Sequence, residues 1–192
     1  MTTDRDAPRL GNHNANPSGI GLFALLREDM RTNGGWLLEQ GFMAIAIHRF
    51  GNWRMSVRKP FRLPLTVVYQ FLSWWVEVLT GITLPYTVKL GRRVRIWHHS
   101  GIIINARSIG NDVHIRQNTT MGVISVDRPF DIPTIGDRVE IGCGACILGG
   151  VTIGDDSIVG ANAVVRSDVP PNSLAVGVPA RILSRLPQEN HG

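Results

Sequence analysis

A chain of 192 residues with a mean hydropathy near zero is long enough for one repeat domain and a modest second element. Its formal net charge of +5 is spread along the sequence, with no dense basic run and no nucleic-acid motif. That balance excludes nucleic acid as the expected partner and supports only a general affinity for anions.

In chain order, residues 1–18 are polar and carry no apolar stretch of signal-peptide type, so they are expected to be a disordered tail. Two cysteines and no export signal point to a reducing cytoplasm. A helical region is expected over 19–82. Leu22, Leu25, Leu26 and then Leu37, Leu38, Phe42, Ile45 recur at helical spacing, and Gly34-Gly35 divides them into two helices. Lys59 to Pro64, with two prolines, reads as a connector. Leu65 to Thr80 is a further, unusually apolar helix that Gly81 ends and Pro85 keeps from resuming. Gln70, Ser73 and Glu77 form one polar stripe on it. This favours packing against a partner subunit or the rest of the chain; peripheral membrane contact through 65–80 is the alternative, and a true span fits least.

From Arg107 onward the period changes to six. Aliphatic residues stand at Ile109, Ile115 and Met121, then at Ile135, Ile141, Ile147, Ile153, Val159 and Val165, with a small or β-branched residue four places after most of them. A helix needs a period near 3.6 and an ordinary strand a period of 2, so neither fits. Six suits a triangular coil whose sides are short strands with aliphatics pointing inward. The expectation is a mainly β protein: a parallel β-helix of hexapeptide repeats, left-handed, over 83–182, with a tail at 183–192. Met121 and Ile135 lie fourteen residues apart where two sides would take twelve, so Val123 to Pro133 should bulge out as a loop.

The stretches Trp97-His98-His99-Ser100-Gly101, Asn111-Asp112-Val113, Gln117-Asn118-Thr119-Thr120-Met121-Gly122, Gly142-Cys143-Gly144-Ala145-Cys146 and Gly177-Val178-Pro179-Ala180-Arg181 resemble the serine acetyltransferases and, more broadly, the hexapeptide acyltransferases. Leu26-Arg27-Glu28-Asp29 resembles that group too, so the likeness covers the last 110 or so residues well and the helices weakly. It implies an acetyl-CoA-dependent O-acetyltransferase, a homo-trimer, and a CoA groove between neighbouring β-helices. Gly122, Cys143, Gly144, Ala161 and Ala163 would follow the pantetheine, and Arg181 would meet the nucleotide phosphates. His98 matches the histidine that opens the family's His-x-x-Gly turn and acts as general base. The chemistry needs one, because a hydroxyl attacking a thioester must lose its proton and imidazole titrates near working pH. A backbone N–H on a Gly-rich corner such as that near Gly122 would meet the oxyanion.

His99, His114 and His48 match no motif and read as solvated, interface or structural histidines. Cys143 and Cys146 form a C-x-x-C without a second pair, so they read as structural thiols rather than a zinc or redox site. The His-x4-His spacing of a β-helical zinc hydratase is absent, and no metal is expected.

Where the serine acetyltransferases carry charged or titratable groups around the histidine, this chain has Thr83, Trp97, Ala106 and Ile132. A zwitterion is poorly served by neutral replacements, since unpaired charges are costly. The expected acceptor is therefore a sugar hydroxyl of a polysaccharide or glycolipid, with Trp97 offering a flat apolar surface. Thr83, Asp127 and Asp131 would bind the acceptor or orient the imidazole. Serine acetylation in cysteine biosynthesis is the alternative within this class, and a non-catalytic, membrane-associated scaffold the alternative outside it. The cytoplasm, or the cytoplasmic membrane face, is the expected location.

Overall fold

A computed structural model describes residues 11–184. Three helices precede the coil: α1 (Leu22–Thr32), α2 (Gln40–Trp53) and α3 (Lys59–Thr80), with a 3-10 turn at Arg54–Ser56 between the last two. Gly34 and Gly35 both take positive φ in the break between α1 and α2. The segment 59–64 is helix rather than connector. Pro60 falls in the first turn, where an N–H has no intrahelical acceptor anyway, and Pro64 removes one bond a turn later. Gly81 in the left-handed region ends α3.

Fifteen short strands follow. Face A stacks β1 (Ile82–Thr83), β4 (Ile102–Ile104), β7 (Thr120–Gly122), β10 (Cys146–Leu148) and β13 (Val164–Val165). Face B stacks β2 (Lys89–Leu90), β5 (Ser108–Ile109), β8 (Thr134–Ile135) and β11 (Thr152–Ile153). Face C stacks β3 (Arg95–Ile96), β6 (His114–Ile115), β9 (Glu140–Ile141), β12 (Ile158–Val159) and β14 (Ser173–Val176). All of these pair in parallel, and the three faces close a left-handed triangular prism. Inside it the repeat's aliphatics form continuous ladders: Ile115, Ile141 and Val159, for example, are paired in successive coils and fully buried. Each ladder position removes most of a side chain's apolar area from water.

The coil length shows where the chain departs from the repeat. Ile135 pairs with Ile153, eighteen residues on, whereas Ile109 pairs with Ile135, twenty-six on. Met121 and Ile135 lie on adjacent faces, so one side of six, not two, separates them, and residues 123–133 carry eight extra residues out of the A–B edge. A smaller excess lies on the C–A edge. Ile96 to Ile104 takes eight residues where their ladder partners Ile115 to Met121 take six.

Both ends of the prism are covered. At the first coil, buried polar side chains of α2 and of Asn33, the residue that caps α1, bind the backbone groups that no preceding coil pairs. Arg49 donates to the carbonyls of Leu90 (2.8 Å) and Gly91 (2.6 Å), Asn52 to that of Tyr86, and Asn33 bridges Val94 O and Ile96 N. Arg49 is itself held by Asp29 at 2.9 Å, with both side chains fully buried. The His48 ring meets Val88 O at 2.9 Å. At the other end, β15 (Arg181–Ser184) turns back antiparallel on β14. The expected tail thus begins with a strand at 183–184, and its remainder lies outside the described residues. Residues 11–18, expected as tail, run against the protein: Asn14 donates to Ser56, Ala15 N to Asn52, and Asn16 to Arg49 O. Residues 1–10 also lie outside the described residues.

Candidate active site

The C–A edge gathers most of the residues that could act on a thioester. In the first coil the two extra residues make Trp97–Gly101 a projecting turn, with His98 (φ 58°), Ser100 (88°) and Gly101 (66°) in the left-handed region. For His98 and Ser100 that conformation is uncommon, and such residues concentrate at functional turns. His98 and His99 are exposed on the turn. The turn is fixed from both sides: Ser100 N donates to Thr80 O at 2.9 Å below, and Asn118 N to Ser100 O at 3.2 Å above. Gly101 has no room for a Cβ, which would collide with the Asn118 side chain; the same contact recurs two coils up between Gly144 and Asn162.

Above His98 the same edge carries Gln117 and Asn118, then Cys143 and Gly144, then Ala161 and Asn162, tied by Gly144 N to Gln117 O and Asn162 N to Cys143 O. Cys143 and Gly144 are half-buried and Ala161 exposed, so a narrow, small-residue track climbs from the histidine turn. Cys146 and Val164 continue it on face A, while Arg181 is exposed near its upper end. Ala163 does not belong to the track, because its side chain is fully buried in the prism. Both thiols are free and unpaired with each other. Among the described residues no cluster of His, Cys, Asp and Glu could hold a metal.

Gly122, Asp127 and Asp131 are not brought to His98 within one chain. Gly122 ends β7 at the A–B edge, and the long loop leaves from there, so the breadth of face A separates them from the histidine turn. Asp131 pairs with Arg128 at 3.3 Å, and Asp127 is bonded by Ser125 Oγ. Arg107 holds the loop by donating to Phe130 O.

The positions that differ from the resembled family divide in two. Ala106 and Ile132 are buried, at 1% and 3% exposure, and complete the core rather than face an acceptor. Thr83 and Trp97 reach the surface. The Thr83 hydroxyl donates to Glu77 Oε1 at 2.8 Å, so a carboxylate from α3 stands beside the position. Glu77 lies one turn before Thr80, whose carbonyl accepts the Ser100 amide of the histidine turn. Nothing in the apolar periodicity marks Glu77; it was legible only as part of a polar stripe. Trp97 is half-buried, with the Arg95 guanidinium 3.4 Å from its ring centroid, Arg116 at 5.9 Å and the His114 ring edge-on at 5.8 Å. Its indole N–H is buried without a partner among the described residues. One face of the indole is thus already covered, and two guanidiniums stand beside the turn.

A second concavity, a groove of about 630 Å³, runs along the B–C edge between residues 13–18 and Lys89, Asn111 and Asp137. It lies on a different edge from His98, and its own histidine, His13, meets the side chain of its neighbour Asn12 at 2.7 Å.

A triangular prism of six-residue sides with a projecting histidine turn on one edge defines a hexapeptide-repeat transferase. The family described as bacterial transferase hexapeptide (six repeats) matches residues 132–167. The serine acetyltransferase of Helicobacter pylori (strain J99) is 34% identical over 168 residues, which is 85% of this chain and 95% of that protein. That of Mycobacterium tuberculosis is 36% identical over 146 residues, 76% of this chain and 61% of the longer relative. Among solved structures, the soybean serine acetyltransferase apoenzyme superposes with a TM-score of 0.71 at 31% identity, covering 84% of this chain and 69% of that one. A Brucella abortus serine acetyltransferase in complex with coenzyme A gives 0.72 at 25% identity, covering 84% and 67%. The chain belongs to the serine acetyltransferase family of hexapeptide-repeat transferases.

Proposed function

We propose that this protein transfers acetyl from acetyl-CoA to an acceptor hydroxyl, with His98 as the general base. The observation that carries the reading is the position of His98: exposed, on a turn fixed by hydrogen bonds above and below, at the foot of a track of small residues. A pantetheine arm needs such a track, since bulky side chains would keep its thioester away from the base. The solved relative bound to coenzyme A supports that ligand. In the reaction the imidazole removes the hydroxyl proton as oxygen attacks the thioester carbonyl. The tetrahedral intermediate then collapses with loss of the CoA thiolate, which regains a proton. Transfer is direct, with no acyl-enzyme, so neither cysteine need be a nucleophile.

For the acceptor, L-serine has the stronger support. The relatives are serine acetyltransferases, two of the four differing positions lie in the core, and Glu77 supplies a carboxylate beside Thr83. A sugar hydroxyl is the second reading and rests on Trp97, though Arg95 leaves it only one open face. The test is CoA release from acetyl-CoA with L-serine and with a panel of sugars. His98→Ala should lower turnover by about 10²–10⁴ while CoA affinity stays nearly unchanged. Wild-type turnover in that variant would remove the assigned role. Saturable acetylation of a sugar, with L-serine inert, would choose the second reading.

A further inference from the structure

The outer face of α3 has no partner in the chain. Tyr69, Val76 and Thr80 are its buried residues, on the side turned to the protein. The opposite arc presents Phe61, Leu63, Val67, Phe71, Trp74 and Val78, each between 56% and 73% exposed. With 22 residues the helix is about 33 Å long, and the arc runs its whole length. A contiguous apolar surface of this size marks an interaction site rather than ordinary surface. No helix among the described residues is long and apolar enough to cross a membrane.

The charges around the arc indicate what covers it. Arg58 and Lys59 are exposed at the start of the helix and neither is in an ion pair among the described residues, whereas Arg62, five whole turns before the buried Thr80, lies on the protein side and donates to Val57 O. The helix holds a single acid, Glu77, near its other end and already bonded by Thr83. A second copy of the same face would set cations against cations in a parallel arrangement, and in an antiparallel one would offer them only Glu77, which Thr83 already bonds. Anionic headgroups supply the missing counter-charge, and the Phe and Trp rings suit the boundary between headgroups and acyl chains.

We propose that α3 lies in the surface of a bilayer containing anionic lipid, with its aromatic arc among the acyl chains and Arg58 and Lys59 on the headgroups. Flotation of the full chain with phosphatidylcholine vesicles, with and without phosphatidylglycerol, tests this. The wild type should float with the phosphatidylglycerol vesicles, and less so as salt rises. Each cation near such a surface is worth roughly five-fold in partitioning, so Arg58→Glu with Lys59→Glu should weaken binding by about 25-fold or more. Phe71→Glu with Trp74→Glu should abolish it; because these side chains are exposed, an unchanged circular dichroism melt would show that the fold is kept. No binding by the wild type, or equal binding by both variants, would overturn the proposal. So would a lipid-free fall in assembly mass on Phe71→Glu with Trp74→Glu, since the face would then belong to a second copy.

Discussion

At the scale of single residues, the pairing of Thr83 with Glu77 separates the two acceptors. If the Glu77 carboxylate receives the ammonium of L-serine, Glu77→Gln removes a charge-assisted contact worth about 1.5–3 kcal/mol, or roughly 10–100-fold in kcat/KM for serine. A neutral sugar has no charge to lose and should keep its kinetics. Equal loss for both substrates would mean that Glu77 serves only to hold Thr83. A second residue makes stability depend on acidity. Burial, and the Arg49 charge beside it, push the His48 imidazole down to about 3. An unfolded histidine titrates near 6.5, so below that pH the unfolded chain takes up a proton that the folded one refuses. The contribution is complete above about pH 6.5 and is lost as pH falls toward 3, at up to about 1.4 kcal/mol per unit. Urea unfolding between about pH 7 and pH 5 should show this slope, and His48→Gln should flatten it. Parallel slopes in the two proteins would assign the acid sensitivity to other groups.

Among the elements, the ladders of the prism hold the coils in register. Ile141 pairs with Ile115 below and Val159 above and is 1% exposed. Ile141→Ala leaves a cavity that two rigid neighbours cannot fill, so it should cost about 3 kcal/mol and lower the melting temperature by roughly 6–12 °C. A drop of a degree or less would mean that the ladder collapses around the gap. The helices do a different task. Asp29, Asn33, His48, Arg49 and Asn52 cover the first coil's open backbone edge, as capping elements do in repeat proteins. Burial pushes the Asp29 carboxyl up against the pull of Arg49, which marks a pair that is costly to bury and more costly to break.

For the whole molecule, the expected site residues fall on two edges of one face. His98, Cys143, Gly144 and Ala161 stand on the C–A edge, whereas Gly122, Asp127 and Asp131 stand on the A–B edge. Both sets can serve one reaction only if the loop edge of one copy meets the histidine edge of another, which is what the expected trimer would provide. Co-expressing His98→Ala with Asp127→Asn/Asp131→Asn tests it, provided each variant alone is impaired. Mixed assemblies should then recover activity at up to about a quarter of their sites. No recovery would mean that each chain works alone, and unchanged kinetic constants in the double aspartate variant would reduce the loop to a bulge.

The six-residue period determined the prism by itself, because each inward aliphatic and each tight corner is a local requirement repeated many times. The His-x-x-Gly turn, which breaks that period by two residues, was legible only through the resemblance to the serine acetyltransferases. What only the tertiary structure decided was everything that depends on a partner far along the chain. Ala106 and Ile132 looked like lost polar contacts and proved to be core, since inward or outward facing is set by ladder register and not by residue type. Thr83 looked neutral until α3 placed Glu77 six residues back within hydrogen-bond reach. The fourteen residues from Met121 to Ile135 could be counted in sequence, but only the faces they join show one side and a long loop. Buried Asp29 and Arg49 carry no periodic signal, because their places are fixed by carbonyls on the coil they close.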